Sequence, residues 1–457
     1  MRSLSNIKKT VNYLKKNGIK DTFYAIKERT KKKEFYAYIP PTADTLAVQR
    51  ASSMGKSLAF SIIVPVFNPS CEYFRAMVQS VLNQSYPHFE LILSDAGTNE
   101  EITAIADEFK SLDNRVKYYR IQEIKNISEI KGISEIKGIS GNSNRALEYA
   151  QGDYIGLLDH DDLLAPDALF EMAQAIDNAI SKKINPGFLY SDEDKFSDNL
   201  KFYDHHRKPK LNLDLILSNN YICHFLVMRR DLIKTLGFRP AFDGAQDYDL
   251  ILRAIDMLGT TPPVIHIDKV LYHWRCHAGS TAENPGSKHY AYEAGRRAVT
   301  DFILKRGYDG VVHHTKHLGF YRVEYAPDIF SQRPEVGAVG GKLLKHNKIT
   351  GGIYLPDGTL LYGGLRKEYS GYMHRAMLCQ EAHAIDIRVM KISPLAVKIF
   401  AEATGYKYLE NKQTGRFDWR ASLGESADFV KISLDFCEKL KAAGFTIVWD
   451  PLMIERI

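Results

Sequence analysis

The sequence predicts an α/β fold on a mostly parallel central sheet, and three observations carry that expectation. From Phe60 onward, short apolar runs alternate with segments of helical spacing, the pattern of repeated βαβ units. The runs are apolar throughout rather than at every second residue, as strands covered on both faces must be. Two of them, FELILSD and YIGLLD, end on aspartates, Asp95 and Asp159, and open α/β sheets bind ligands at the carboxyl ends of their strands.

The elements follow in order. Residues 1–57 read as a basic amphipathic extension: Ile7, Val11 and Leu14 have helical spacing, Asn17-Gly18 marks a helix end, and Ile19, Phe23 and Ile26 begin a second stripe. FSIIVPVFN is a buried strand ending at Pro65. Phe74, Met77, Val78, Val81 and Leu82 form the apolar face of the next helix. Strand FELILSD, helix 100–110, strand VKYYR and helix NSNRALEYA come next. Tyr154–Leu158 is then a strand, Pro166 suits a first helical turn, and Ala168, Leu169, Met172 and Ile176 supply a stripe. IKNISEIKGISEIKGIS, residues 124–140, is a six-residue unit repeated between strand and helix; it is too short for a solenoid and reads as an expanded surface loop.

Composition sets the bounds. A chain of 457 residues with 45% apolar content buries a substantial core in two or more units. Five scattered cysteines with no CxxC pair argue for a reducing compartment and against a zinc site. No run is long enough to cross a bilayer and no signal peptide opens the chain, so a cytoplasmic location is expected. The net charge of +6 is uneven: residues 1–40 hold eleven basic and three acidic side chains, leaving 50 basic and 52 acidic for the rest. That concentration fits either a contact with the inner face of the plasma membrane or a solvated helical pair packed on the main domain. Without a basic excess elsewhere, nucleic acid is not an expected partner.

DHDD, residues 159–162, sits at the mouth of a buried strand. Carboxylates this close raise each other's pKa unless a cation offsets them, and hard oxygen ligands suit Mg²⁺ or Mn²⁺. The plain alternative is a solvated acidic loop with Asp162 or Asp167 capping the helix.

SIIVPVFN, LILSDAGT, GDYIGLLDHDD, YSDEDK, GAQDYDLILR and LYHWRCHAGSTA occur in the order seen in glycosyltransferase family 2, and the chain resembles its bacterial rhamnan, O-antigen and capsule enzymes over residues 58–325. The resemblance implies the GT-A sandwich that binds nucleotide-diphospho-sugars, and an inverting, metal-dependent, hexosyltransferase-type reaction. It implies a UDP- or dTDP-linked donor and a growing cell-surface polysaccharide or lipid-linked glycan as acceptor. By the same resemblance, Asp95 bonds the donor's base, with Pro65, Phe67, Asn68, Asn144, Arg145 and His277 also on the donor side. Asp159 and Asp161 form the DxD, Asp161 as direct ligand of Mn²⁺ or Mg²⁺ and Asp159 as its neighbour toward ribose or sugar. Asp247 stands in the catalytic-base position, with Gln246 where many members carry Glu. Asp192, Glu193, Asp194, His273 and Arg275 fall in the acceptor and sugar region.

Plainer readings stand beside these. Asp247 and Asp249 suit a helix start, HWRCH suits an edge strand with a solvent-facing polar side, and YSDEDK suits a solvated turn. HHTKH (His313, His314, His317) is expected on the surface. A nucleotidyltransferase shares the sheet but would show a Gly-rich phosphate loop after the first strand, and VPVFNPSCEYF has none. Residues 326–457 resemble the later half of a second family 2 domain, with LDFCEKL placing Asp435 opposite Asp247. This part lacks a nucleotide-binding half and a second DxD, so it is expected to be a degenerate partial unit that packs on the first domain, forms a homodimer or holds polymer. The alternative for the whole chain is a catalytically weak sugar-nucleotide binder or scaffold of a polysaccharide assembly complex.

Overall fold

The computed structural model describes residues 2–29, 36–52, 58–120, 138–259, 263–276 and 289–457. The repeat up to residue 137 and His277 lie outside them. The chain forms two compact units: Phe35–Leu211 with Asn220–Phe302, and Met1–Glu34 with Asn212–Asn219 and Ile303–Ile457.

The first unit is built on a nine-stranded sheet. Its strands are β1 (Phe60–Val66), β2 (Phe89–Asp95), β3 (Val116–Arg120), β4 (Tyr154–Leu157), β5 (Leu163–Leu164), β6 (Phe188–Phe196), β7 (Phe202–His206), β8 (Leu226–Arg229) and β9 (Val264–Arg275). The order is β3-β2-β1-β4-β8-β6-β9-β5, with β7 on β6. The first four strands are parallel; β8 runs antiparallel between β4 and β6, and β6 and β9 are again parallel. The carboxyl ends of β1, β2, β4, β6 and β9 therefore share one rim. The expected stripes are what the helices bury: Phe74, Met77, Val78 and Val81 from Cys71–Leu82, and Ala168, Leu169, Met172 and Ile176 from Ala168–Ser181. Pro166 lies just outside that helix, and Asp167 takes its N-cap position without a side-chain cap bond.

The second unit carries a five-stranded sheet. Val336–Lys345 runs parallel to Thr446–Arg456, which the helix Phe429–Ala442 precedes. Met390–Ile392 pairs antiparallel with Ala338–Gly340, and Lys348–Gly351 with Leu343–Lys345. This is the layout of β6, β7, β8 and β9 in the first unit. There β8 pairs with Phe188–Tyr190, β7 with Glu193–Phe196, and the helix Gln246–Leu258 precedes the parallel strand. The correspondence does not extend to the aspartate. Asp247 is in the first turn of its helix, whereas Asp435 is exposed midway along Phe429–Ala442. Asp428 starts that helix earlier by accepting from the Lys431 amide at 3.1 Å, so the match of LDFCEKL to QDYDLIL is one of apolar spacing only.

Candidate active site

At the end of β2 the buried carboxylate of Asp95 accepts from the Gly97 amide and the Tyr118 hydroxyl, both at 2.7 Å. Asn68, with φ 45°, accepts from the Thr98 amide at 2.8 Å and the Asn99 amide at 3.2 Å. A Cβ on Gly97 would meet the Asn68 Oδ1 at 2.5 Å and the Asp95 Oδ1 at 3.0 Å, so the AGT turn closes only with glycine there. Phe67 is 63% exposed beside this turn. The Pro65 carbonyl lies 3.2 Å from His160 Nδ1, which ties the end of β1 to the acidic loop.

Within that loop the three aspartates divide. Asp162 turns inward: it is fully buried and accepts from the Tyr272 hydroxyl and the Arg275 amide, each at 2.6 Å. Burial, with Asp161 and Asp159 adding to it, pushes its pKa well above the usual carboxylate range. It fastens the loop to β9 and does not cap the following helix. Arg275 completes the fastening by donating from Nε to the Asp161 carbonyl at 2.6 Å, with its guanidinium over the rings of Tyr73 and Phe196.

Asp159 and Asp161 remain at the rim. The side chain of Asp159 is half exposed, yet the surrounding protein raises its pKa; His224 pulls the other way, and Asp161 and Asp247 add to the rise. His224 links these groups. It stacks on Tyr272 at 4.5 Å, and its ring nitrogens lie 3.8 Å from Asp159 Oδ2, 3.3 Å from Glu193 Oε2 and 3.5 Å from Cys223 Sγ. Cys223 Sγ is in turn 3.7 Å from Asp247 Oδ2, which accepts from Asn220 Nδ2 at 2.7 Å. Burial disfavours charge on His224, but Cys223 and Glu193 outweigh it and lift its pKa well above 6.5. Burial also pushes the Cys223 thiol up to about 11, against the pull of His224.

YSDEDK is not a solvated turn but the buried carboxyl half of β6. Asp192 accepts from His205 at 2.9 Å, His266 at 2.8 Å and the Lys208 amide at 2.9 Å. Burial opposes its charge, and those partners overcome burial and lower its pKa. Glu193 is held by His206, Lys208 and His224. Asp194 meets His273 and the Tyr36 hydroxyl, each at 2.6 Å. His273 and Arg275 are buried and bonded inward, which overturns the solvent-facing edge strand. Every acid in the run has a cationic, imidazole or hydroxyl partner, and that permits burial.

Other expected residues serve the scaffold in this structure. Asn144 bonds the Phe238 backbone at both ends of its amide, at 2.8 and 2.7 Å. Arg145 donates to the Tyr149 hydroxyl. Gln246 folds back, its Oε1 accepting from the Gly244 amide at 2.9 Å. Asp249 is buried between Arg239 and Arg253. His313 meets Glu324 across the hairpin Gly310–His314/Tyr321–Tyr325.

Sequence reasoning missed Asn220, His224 and Tyr272, which join the acids. It also missed the partners of β6, for which DHHRK at 204–208 is a usable signal: two histidines and a lysine shortly after an acidic strand. Among the described residues, no group of three or more His, Cys, Asp or Glu side chains is gathered to hold a metal alone. A pair of rim carboxylates fits Mg²⁺ or Mn²⁺ where a ligand's phosphates complete the shell.

Residues 61–237, within the α/β sheet of the first unit, match the family model for glycosyl transferase family 2. It is 40% identical over 247 residues to the uncharacterized protein y4gI of Sinorhizobium fredii, covering 54% of this chain and 25% of that protein. It is 28% identical to the O-antigen biosynthesis protein RfbC of Myxococcus xanthus over 62% of this chain and 21% of the relative. The chain thus spans about a quarter of the length of these curated relatives. Among solved structures, S. aureus TarS in complex with UDP-GlcNAc is similar at 19% identity and TM-score 0.40, over 54% of this chain and 67% of that one.

Proposed function

We propose that the first unit is an inverting glycosyltransferase that moves a sugar from a nucleoside-diphosphate donor to a growing surface polysaccharide or lipid-linked glycan. The observation that carries this reading is the convergence of Asp159 and Asp247 through His224 and Cys223, on the strand-end rim of a sheet whose residues 61–237 match the family 2 model. Asp95 and the Asn68-braced turn form the place for the base of a UDP or dTDP donor. Asp159 and Asp161 would hold Mn²⁺ or Mg²⁺, which when bound offsets the charge of the leaving diphosphate. Asp247 removes the acceptor hydroxyl's proton; the oxygen then bonds to the anomeric carbon as the bond to the diphosphate breaks from the opposite face. Asn220 holds one Asp247 oxygen and leaves the other for that proton. Arg275 and Asp162 fix the loop that presents Asp161.

The second unit is read as a degenerate repeat of the first unit's later half. Its strand at the position of β6 carries Lys342, Leu343 and Leu344 where β6 carries acids, which supports a role other than donor binding. Donor hydrolysis with Mn²⁺, tested over a panel of UDP and dTDP sugars and lost in Asp161→Ala, is the deciding experiment. Tight donor binding without turnover for any acceptor would favour the scaffold instead.

A further inference from the structure

The helix Arg2–Arg29 kinks at Gly18, where φ is 76°. Its second arm is fastened along one face. The Glu28 carboxylate accepts from the backbone amides of Ser370 and Gly371, at 3.1 and 2.6 Å. The Tyr24 ring packs edge-on against Tyr369 at 5.6 Å, and its hydroxyl accepts from Arg366 at 3.2 Å. At 100° per residue, Tyr24 and Glu28 lie opposite the sector shared by Ile19, Phe23 and Ile26. In that sector Ile19 is 81% exposed, Phe23 57% and Ile26 47%. Exposed Lys20 and Lys27 flank it on one side, and Val11 and Leu14 are also exposed on the arm before the kink.

Three large apolar side chains in one exposed stripe are an unusual feature for a helix whose other face is bonded in place. The stripe belongs to the segment that holds the chain's positive excess, eleven basic against three acidic residues within the first 40, while the remainder is slightly acidic. A protein partner of ordinary composition would account for the apolar stripe but not for this charge. A bilayer surface with anionic headgroups accounts for both, since apolar side chains enter the acyl boundary while flanking lysines reach the phosphates. Among the described residues no helix is long and apolar enough to cross a membrane, so the contact is one of lying on the surface.

We infer that the arm from Ile19 to Ile26 is a docking face for anionic lipid membrane, with Ile19, Phe23 and Ile26 as its inserted side chains. This goes beyond the catalytic reading and does not depend on it. The test is co-sedimentation of the full chain with phosphatidylcholine vesicles, with and without about a third phosphatidylglycerol. Binding is expected only to the anionic vesicles and should weaken as salt rises. Ile19→Ser/Phe23→Ser should weaken it about tenfold or more, and Lys20→Glu/Lys27→Glu should weaken it in low salt. Both variants should keep the parent's thermal midpoint, because the altered side chains are exposed. Equal binding to both vesicle types, no binding, or unchanged binding by Ile19→Ser/Phe23→Ser would overturn the inference. So would a self-associated dimer that this double variant dissociates while vesicles fail to bind.

Discussion

The amide of Asn220 donates to the Asp247 carboxylate at 2.7 Å, from the segment that also carries Cys223 and His224. Asp247 is therefore oriented from outside its own helix, and His224 links the same segment to Asp159. An aspartate serving only to start a helix would need no such partner.

Asp247→Asn should leave donor affinity within a factor of about two and lower turnover by about 10²–10⁴-fold, the usual contribution of a general base. Asn220→Ala should lower turnover less, by roughly tenfold, because the Asp247 carboxylate remains but its rotamer is no longer fixed. Steady-state rates alongside donor titration separate these effects. An Asp247→Asn protein that loses donor affinity and keeps its rate would show that Asp247 belongs to donor binding.

Asp161→Ala should abolish transfer and metal-dependent nucleotide binding while the melting temperature stays within a few degrees, since a rim acid fills no core. Asp162→Ala should behave differently. It removes the acceptor for Tyr272 and for the Arg275 amide inside the fold, so a loss of stability of about 1–3 kcal/mol should accompany any loss of activity. Parallel melts and transfer assays distinguish the two neighbours, and equal melting losses would mean the loop was misassigned.

Much of the first unit was legible because its strands and helices are locally consistent: the apolar stripe of Cys71–Leu82 and the run Tyr154–Leu157 each have one periodicity to offer. The DHDD loop was legible for the same reason, as it ends such a run. The burial of Asp192, Glu193 and Asp194 was not, because their partners are distant in sequence: His205 and His206 come from β7 and His266 and His273 from β9. Nor was His224, whose neighbours Asp159, Glu193 and Tyr272 are brought to it by three other strands or strand ends. Asp435 shows the opposite error, where apolar spacing matched but a cap placed further upstream moved the helix start.

Lys342 gives a pH prediction. It is 2% exposed, with its ammonium 3.6 Å from Met377 Sδ and 5.6 Å from the Trp449 ring centre, and burial, with Lys316 adding to it, depresses its pKa from 10.5 to about 8. The folded chain then binds fewer protons than the unfolded chain between pH 8 and 10.5, so this group makes stability rise with pH across that window; below pH 8 its full cost is present. Lys342→Met should stabilise the protein at pH 7 by on the order of 2 kcal/mol, and the advantage should shrink toward pH 10.5. Urea midpoints at pH 7 and 10 check this. A variant less stable than the parent at pH 7 would mean that Lys342 has a favourable partner there.

The last prediction concerns the second unit's integrity. Its members are not contiguous: the helix Leu213–Ser218 lies in the sequence between β7 and β8 yet belongs with Ile303–Ile457. Arg333, 1% exposed, makes its buried ion pair with Asp214 of that helix at 2.7 Å, and Asn212 exchanges two bonds with the Glu381 backbone. A fragment of residues 331–457 keeps Arg333 and Glu381 but loses Asp214 and Asn212, leaving Arg333 only its bond to Glu335 at 2.8 Å. Breaking a buried pair by removing one member costs about 3–5 kcal/mol, comparable with the whole stability of many domains. Expressed alone, this fragment should be insoluble or unfold without cooperativity, and it should bind no nucleotide. Arg322 and Asp450, which line a cavity of about 220 Å³ in this unit, are bonded to each other at 2.7 and 2.8 Å, so Asp450 already holds its cation. Asp214→Ala in the full chain should weaken the same unit, seen as faster proteolysis within residues 303–457 while donor hydrolysis by the first unit persists. A soluble 331–457 fragment that melts cooperatively and binds a sugar nucleotide would overturn the reading of this unit as a dependent repeat and make the chain bifunctional.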